Sequence, residues 1–431
     1  MAQIRDLKTG IKYKNTPIGK IPVDWEVGRL GDLCIGEPEY GANVPSMDKD
    51  NNLPRYVRIT DITDNGKLLE STSQSINKES AQPYILGEGD FLFARSGATV
   101  GKSYLYSKKD GECAFAGYLI RFKPNSTQLL PEFLFYFTHS DYYYNWVKSI
   151  LRAGAQPNIN AKEYSNMLLT KPPIGEQKKI AEILTTVDET IEKTDQIIEK
   201  NKEIKKGLMQ ELLTRGIGHK KFKKSDIGEI PENWEVVNLG KMIYLQGGFA
   251  FKSNEYKEKG LPLVRISNVR SNGITLNECA YLPESFAEEF RNYLLKTGDV
   301  LVAMSGATTG KIGVVSNKDL PALFNQRVGR FVIKDSNLIS KSFLTQVVLT
   351  KKFKENLLTD AAGGAQPNVS GKNIEKIVIS LPPILEQKQI AEVLSSIDEE
   401  TEKEGNNKEQ LELLKKGLMQ VLLTGKIRVS V

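Results

Sequence analysis

The chain is one unit written twice, and any fold for it must accommodate two copies of the same design. Ile18-Gly19-Lys20-Ile21-Pro22 with Trp25-Glu26-Val27 returns as Ile227-Gly228-Glu229-Ile230-Pro231 with Trp234-Glu235-Val236. Ser96-Gly97-Ala98-Thr99-Val100-Gly101-Lys102 returns as Ser305-Gly306-Ala307-Thr308-Thr309-Gly310-Lys311, both pairs at an offset of 209 residues. At an offset of 210, Gly154-Ala155-Gln156-Pro157-Asn158 recurs as 364–368, Pro172-Pro173-Ile174 with Glu176-Gln177-Lys178 as 382–388, and Lys205 to Gln210 as Lys415 to Gln420. Five ordered matches at a near-constant spacing mark a tandem duplication over almost the whole length.

Each copy has a mixed part and a helical part. Residues 18–172 and 227–382 alternate short strand-like runs (Tyr56 to Ile59, Asp90 to Phe93, Tyr118 to Phe122; Leu263 to Ile266, Asp299 to Val302, Val328 to Ile333) with loops and one helix, at Pro131 to Ile150 and Ser342 to Leu358. After each Pro-Pro pair, a site suited to a helix start, apolar residues step by three and four. The first stripe is Ile180, Leu184, Val187, Ile191, then Ile198, Leu208 and Leu212; the second is Ile390, Leu394, Ile397, then Leu411, Leu418 and Leu422. That is the 3.5-residue seam of a coiled coil, interrupted midway by Thr194 and Asn201 and by Glu404 and Lys408, so the two helices are expected to pair with each other. Gly207 and Gly417 recur inside them at about 1 kcal/mol against alanine, which suggests a close crossing or a shared break. The domain plan is an arm (1–17), a first domain (18–172), a long helix (173–214), a basic linker (215–226), a second domain (227–382), a second helix (383–424) and a tail (425–431).

Composition narrows the chemistry. With 40% hydrophobic and 26% charged residues the chain is globular, and no run approaches the ~20 apolar residues of a membrane span. Cys34, Cys113 and Cys279 lie far apart with no metal-like spacing, and His139 and His219 add too few ligands for zinc. A cytoplasmic setting is expected. The net charge of +6 suits a polyanion but is too dilute to prove one. Gly97 to Ser103 imitates a phosphate-binding P-loop but has three residues between its glycines, and its second copy has Ile312 where a magnesium-binding hydroxyl belongs. Neither Pro-Pro pair has the flanking amide and aromatic of a methyltransferase loop, and Glu176-Gln177-Lys178 has no upstream Pro-Asp partner for nuclease chemistry. No catalytic residue is assigned, and the chain is expected to be non-catalytic.

The Ile-Gly-x-Ile-Pro-x-x-Trp start, the Ser-Gly-Ala-Thr-x-Gly-Lys turn, the Gln-Pro-Asn loop and Pro-Pro-Ile-x-Glu-Gln-x-x-Ile-Ala-Glu, present twice over residues 18–424, resemble the specificity subunit of type I restriction–modification systems. The resemblance implies a mixed α/β fold: two target-recognition domains and two long antiparallel coiled-coil helices with pseudo-two-fold symmetry. It implies double-stranded DNA as ligand, two modification (methyltransferase) subunits and restriction (translocase/nuclease) subunits as partners, and a role in phage defence. S-adenosylmethionine, ATP and Mg are implied on those partners, with no cofactor here. The alternatives are a related system with a fused nuclease–methylase partner, or a coiled-coil scaffold that ignores DNA. Gly405-Asn406-Asn407, where the first helix has Asp195-Gln196-Ile197, departs from the repeat and suggests a local kink.

Two copies that read different half-targets must differ where they touch bases and agree where they hold backbone. Ala116-Gly117-Tyr118 stands opposite Asn325-Gln326-Arg327, so Tyr118, Gln326 and Arg327 are candidate base readers. Arg58 with Arg265, Lys102 with Lys311, Arg121 with Arg330, and Gln156 and Asn158 with Gln366 and Asn368 are shared and fall to phosphate contact or loop closure; Arg95 completes the candidate set. The aromatic run Tyr142 to Tyr144 beside Trp146 is assigned to core packing.

Overall fold

A computed structural model describes residues 11–151, 157–271, 273–359 and 368–430. The chain is mixed α/β and forms two compact units, one of residues 1–195 with 406–431 and one of 196–405. Each unit therefore joins one copy's domain to a length of both long helices.

In the first unit a four-stranded antiparallel sheet is built from β1 (Glu39–Tyr40), β2 (Phe91–Ala94), β3 (Ser103–Leu105) and β4 (Leu119–Phe122), in the order β1-β4-β2-β3. The long helix α1 (Ile174–Arg215) follows. The second unit repeats the sheet with β5 (Ile243–Gly247), β6 (Val300–Ala303), β7 (Ile312–Val314) and β8 (Val328–Ile333), in the order β5-β8-β6-β7, and ends in the long helix α2 (Ile384–Leu422). All four residues of β2 and of β6 are buried, as central strands covered on both faces require.

The Trp of each entry motif centres its core. Trp25 packs with Phe93, Phe122, Phe133 and Tyr164, and also with Ile180 and Leu184 of α1 and Met419 and Leu422 of α2. Trp234 packs with Val302, Phe331 and Phe343, with Ile390 and Leu394 of α2, and with Leu213 of α1. Each core is thus closed by the end of the helix that follows the other copy. Fully burying one such side chain contributes about 1.5–3 kcal/mol, so these helix ends are part of the domains they cover.

The helices run antiparallel within each unit. In the first unit, Asp188 meets Lys415 at 2.6 Å and Asp195 meets Lys408 at 2.7 Å, so seven residues forward on α1 match seven back on α2. In the second, Lys205 meets Asp398 at 2.6 Å. The polar residues that interrupt the apolar stripe thus include seam ion pairs. Ile180, Leu184, Ile390 and Leu394 are buried, while Val187, Ile191, Leu208, Leu212, Ile397, Leu411 and Leu418 are half-buried and Leu422 is buried at the far end.

Several expectations are corrected. The single helix in each domain is two: Pro131–Phe137 then Asp141–Ile150, and Lys341–Leu349 then Lys351–Thr359. Ser140 breaks the first by capping the Tyr143 amide, and Thr350 breaks the second, its extended backbone placing its hydroxyl to accept from the Phe353 amide. The departure at Gly405 does not interrupt the helix, since α2 continues from Ile384 to Leu422. Gly207 and Gly417 mark neither a break nor a close crossing, for a Cβ at either would meet nothing within 4 Å.

Candidate nucleic-acid interface

Two motifs far apart in sequence become neighbours in each unit. In the first, Ser96 bridges Asn158, the Gly97 amide donates to the Pro157 carbonyl at 3.0 Å, and the Ile159 amide donates to the Arg95 carbonyl at 2.8 Å. In the second, Ser305 bridges Asn368 and the Val369 amide donates to the Met304 carbonyl at 2.8 Å. Gln156 and Gln366 lie outside the described residues. Gly97 and Gly101 have φ of +71° and +88°, and a strand rather than a helix follows, so the glycine run is a turn that holds the Asn158 strand. Asn158 and Asn368 are both exposed at its edge.

The residues surrounding this shared frame differ between copies. The Arg95 amide donates to the Tyr118 carbonyl, and the Met304 amide to the Arg327 carbonyl, which equates Arg95 with Met304 and Tyr118 with Arg327. Tyr118 is 62% exposed, and Gln326 and Arg327 are exposed too. The Arg95 guanidinium lies 4.8 Å from the ring centroid of Tyr40, an exposed aromatic that sequence reasoning did not single out. The Arg95 Nε is buried without a hydrogen-bond partner. A planar guanidinium and exposed aromatic rings are the groups that stack on and hydrogen-bond to base edges.

Other shared cations have partners within the protein. Arg121 is bound by Glu39 and by Asp90, and donates to the Ile85 carbonyl. Arg330 is bound by Asp299 at 3.1 Å, by Gln246 and by the carbonyls of Leu294 and Asn292. These guanidiniums fasten strands of each sheet to their neighbours, and that is where the structure places two of the candidate DNA residues. Burial pushes the Glu39 carboxyl up, but hydrogen bonds from Lys123 and Arg121 outweigh it and hold the group below the usual carboxylate range. Arg58 is held by Asp61 at 2.8 Å and by Gln74. Lys102 sits 2.9 Å from Asp64. Arg265 and Lys311 make no salt bridge among the described residues.

The Pro-Pro-x-x-Glu-Gln segments are joints rather than half of a nuclease element. Gln177 is fully buried, accepts from the Leu130 amide at 2.9 Å and donates to the Gln128 and Pro172 carbonyls; Gln387 does the same with Ser340, Leu338 and Pro382. Glu176 accepts from the Trp25 indole at 2.9 Å and Glu386 from the Trp234 indole at 3.0 Å. Every atom of these side chains that would do chemistry is engaged in fastening a helix to its domain. Among the described residues no His/Cys/Asp/Glu cluster has the arrangement of a metal site, and no helix is long and apolar enough to cross a membrane.

Known proteins share this plan. A family model described as the type I restriction modification DNA specificity domain matches residues 22–203 and again 231–413. The MjaVIII type I restriction enzyme specificity subunit of Methanocaldococcus jannaschii is 34% identical over 415 residues, covering 95% of each chain. The EcoKI specificity subunit of Escherichia coli is 26% identical, covering 90% of this chain and 86% of that one. Among solved structures, a type I restriction–modification S subunit from M. genitalium aligns over 97% of both chains with a TM-score of 0.60 at 14% identity. A chain from a study of complex assembly in a type I system aligns with a TM-score of 0.54 at 19% identity, covering 94% of this chain and 99% of that one.

Proposed function

This chain belongs to the DNA specificity family of type I restriction–modification systems, and from that premise we propose that each of its recognition domains reads one half of a split DNA target. The observation that carries the reading is the shared Ser-Gly-Ala-Thr/Pro-Asn frame, surrounded by exposed residues that differ between the copies. One frame holds the backbone in both halves while different side chains select different bases. The chain does no chemistry of its own in this reading. Two modification subunits methylate adenine and restriction subunits cleave, and these partners carry S-adenosylmethionine, ATP and Mg. The complex works in the cytoplasm, where its DNA is.

The purified chain alone is expected to give no methylation and no cleavage of DNA. Adding its modification subunit should give adenine methylation at one bipartite sequence, mapped by methylome sequencing. Methylation by the chain alone, or by the complex without any sequence preference, overturns the proposal.

A further inference from the structure

We propose that the two recognition domains grip the DNA backbone unequally: Arg265, Arg270 and Lys311 form a phosphate-binding site in the second, whereas carboxylates of the chain itself neutralise the same place in the first. The inference rests on the DNA-reading function above and deepens it.

The two places are superposable bond by bond. The Arg58 amide donates to Asp61 Oδ2 at 2.9 Å, and the Arg265 amide donates to Asn268 Oδ1 at 3.0 Å. Asn268 keeps this bond and adds one from its Nδ2 to the Thr275 carbonyl at 2.9 Å, so the turn survives the exchange of Asp for Asn. The charge does not. Asp61 is wholly buried and forms a salt bridge with the Arg58 guanidinium, while Arg265 has no salt bridge among the described residues and a buried Nε with no hydrogen-bond partner.

The same substitution of neutral for acidic recurs one step along. Ile62 bridges Leu68 in the first unit and Val269 pairs with Ile274 in the second, so Thr63 answers to Arg270 and Asp64 to Ser271. Asp64 is 89% exposed and holds the Lys102 ammonium at 2.9 Å. Lys311 holds the same position after the same turn, and β7, which begins directly after it, abuts the 269–274 hairpin: a Cβ at Gly313 would meet the Gly273 carbonyl at 2.4 Å. Residues 58–69 contain Arg58, Lys67, Asp61 and Asp64 and cancel; residues 265–276 contain Arg265 and Arg270 with no acid. Arg270 is exposed and Arg265 and Lys311 are half-buried. Two guanidiniums on one turn and an ammonium at the start of the strand that abuts it, none with a salt bridge among the described residues, match the fork and point-charge geometry of phosphate oxygens.

Each cation that meets a phosphate adds about 0.9 to the slope of log affinity against log salt. The test is salt-dependent binding of the full chain, assembled with its modification subunits, to a duplex carrying its target. Arg270→Gln with Lys311→Gln should lower the slope by roughly 1.5–2 and weaken binding on the order of tenfold at moderate salt, whereas Lys102→Gln should move it by less than about 0.5. Ser271→Asp, at an exposed turn residue, should weaken binding, and Asp64→Ser should strengthen it and steepen the slope. Thermal unfolding of each variant reports that the fold is kept. Equal slope losses for Lys102→Gln and Lys311→Gln overturn the asymmetry. Loss of subunit assembly with an unchanged slope overturns it also, by making the surface a protein contact. A wild-type complex with no salt-dependent DNA binding overturns the function beneath it; a wild-type complex that binds, with every variant unchanged, overturns this inference alone.

Discussion

Arg428 reaches Glu176 across 252 residues of chain, its Nε 3.1 Å from the carboxylate that also holds the Trp25 indole. It clasps Asp24 as well, at 2.6 Å. In the second unit, His219 does this work, its Nε2 2.7 Å from Glu386, which holds the Trp234 indole. The tail and the linker between copies are therefore one device used twice, with a guanidinium in one copy and an imidazole in the other.

Removing the clasp should tell the two copies apart. Arg428→Ala leaves a buried carboxylate short of its cation and should cost about 2–4 kcal/mol, while His219→Ala should cost about 1 kcal/mol. Hydrogen exchange at the two indoles reads each unit separately: Trp25 should exchange faster in the first variant and Trp234 in the second. Equal acceleration of both by Arg428→Ala would refute a local role.

Acid should loosen the same clasp. The Arg428 guanidinium beside Asp24 holds its carboxyl below the usual carboxylate range. A carboxylate lowered on folding adds stability that is present above its unfolded pKa and lost as pH falls through the folded one. Asp24→Asn should therefore flatten the loss of first-unit stability below about pH 4. Urea melts of the full chain at stepped pH, followed at Trp25 by exchange, measure this.

His139 should make the first unit sensitive at higher pH. Its ring lies tilted against Phe135, 4.4 Å between centroids, its Nδ1 lies 2.7 Å from the Phe135 carbonyl, and burial pushes its pKa below 6.5. Lys415 lowers it further, against the opposing pull of that carbonyl and Asp188. A histidine kept neutral on folding contributes stability above its unfolded pKa that is lost as pH falls below it. Stability should decline from about pH 6.5 downward in the wild type and less steeply in His139→Gln. Identical pH profiles would contradict the assignment.

The glycines separate by their surroundings. Gly207→Ala and Gly417→Ala meet open space and should each stabilise the helix by about 1 kcal/mol. A Cβ at Gly41 or Gly248 would lie 2.3 Å from the Phe115 carbonyl or 2.2 Å from the Phe324 carbonyl, so alanine there should sharply lower the melting temperature. Differential scanning calorimetry of the four single variants compares them directly.

The duplication made the mixed architecture, the paired helices and the two-domain plan legible before any coordinates, because repeated residues at fixed offsets and a 3.5-residue stripe are local signals. The breaks at Ser140 and Thr350 were not legible, since both helices keep their apolar content across the break. The Glu-Gln joint was visible as a motif, yet its purpose was hidden: its partners Arg428 and His219 are different residue types, distant in sequence. The partners of Arg121 and Arg330 were hidden for a related reason: a shared arginine marks a shared need, but Asp90 and Asp299, which bind them, lie 31 residues away in sequence.

The domain made first is the one finished last. Residues 196–405 form one continuous stretch, so the second unit has all of its chain before residue 406 is added. The first unit waits for Met419, Leu422 and Leu423, which close the core around Trp25, and for Arg428, which clasps Glu176. A nascent chain thus holds its opening domain uncovered until residues 419–428 leave the ribosome, and a truncation before Met419 damages the domain at the other end of the sequence.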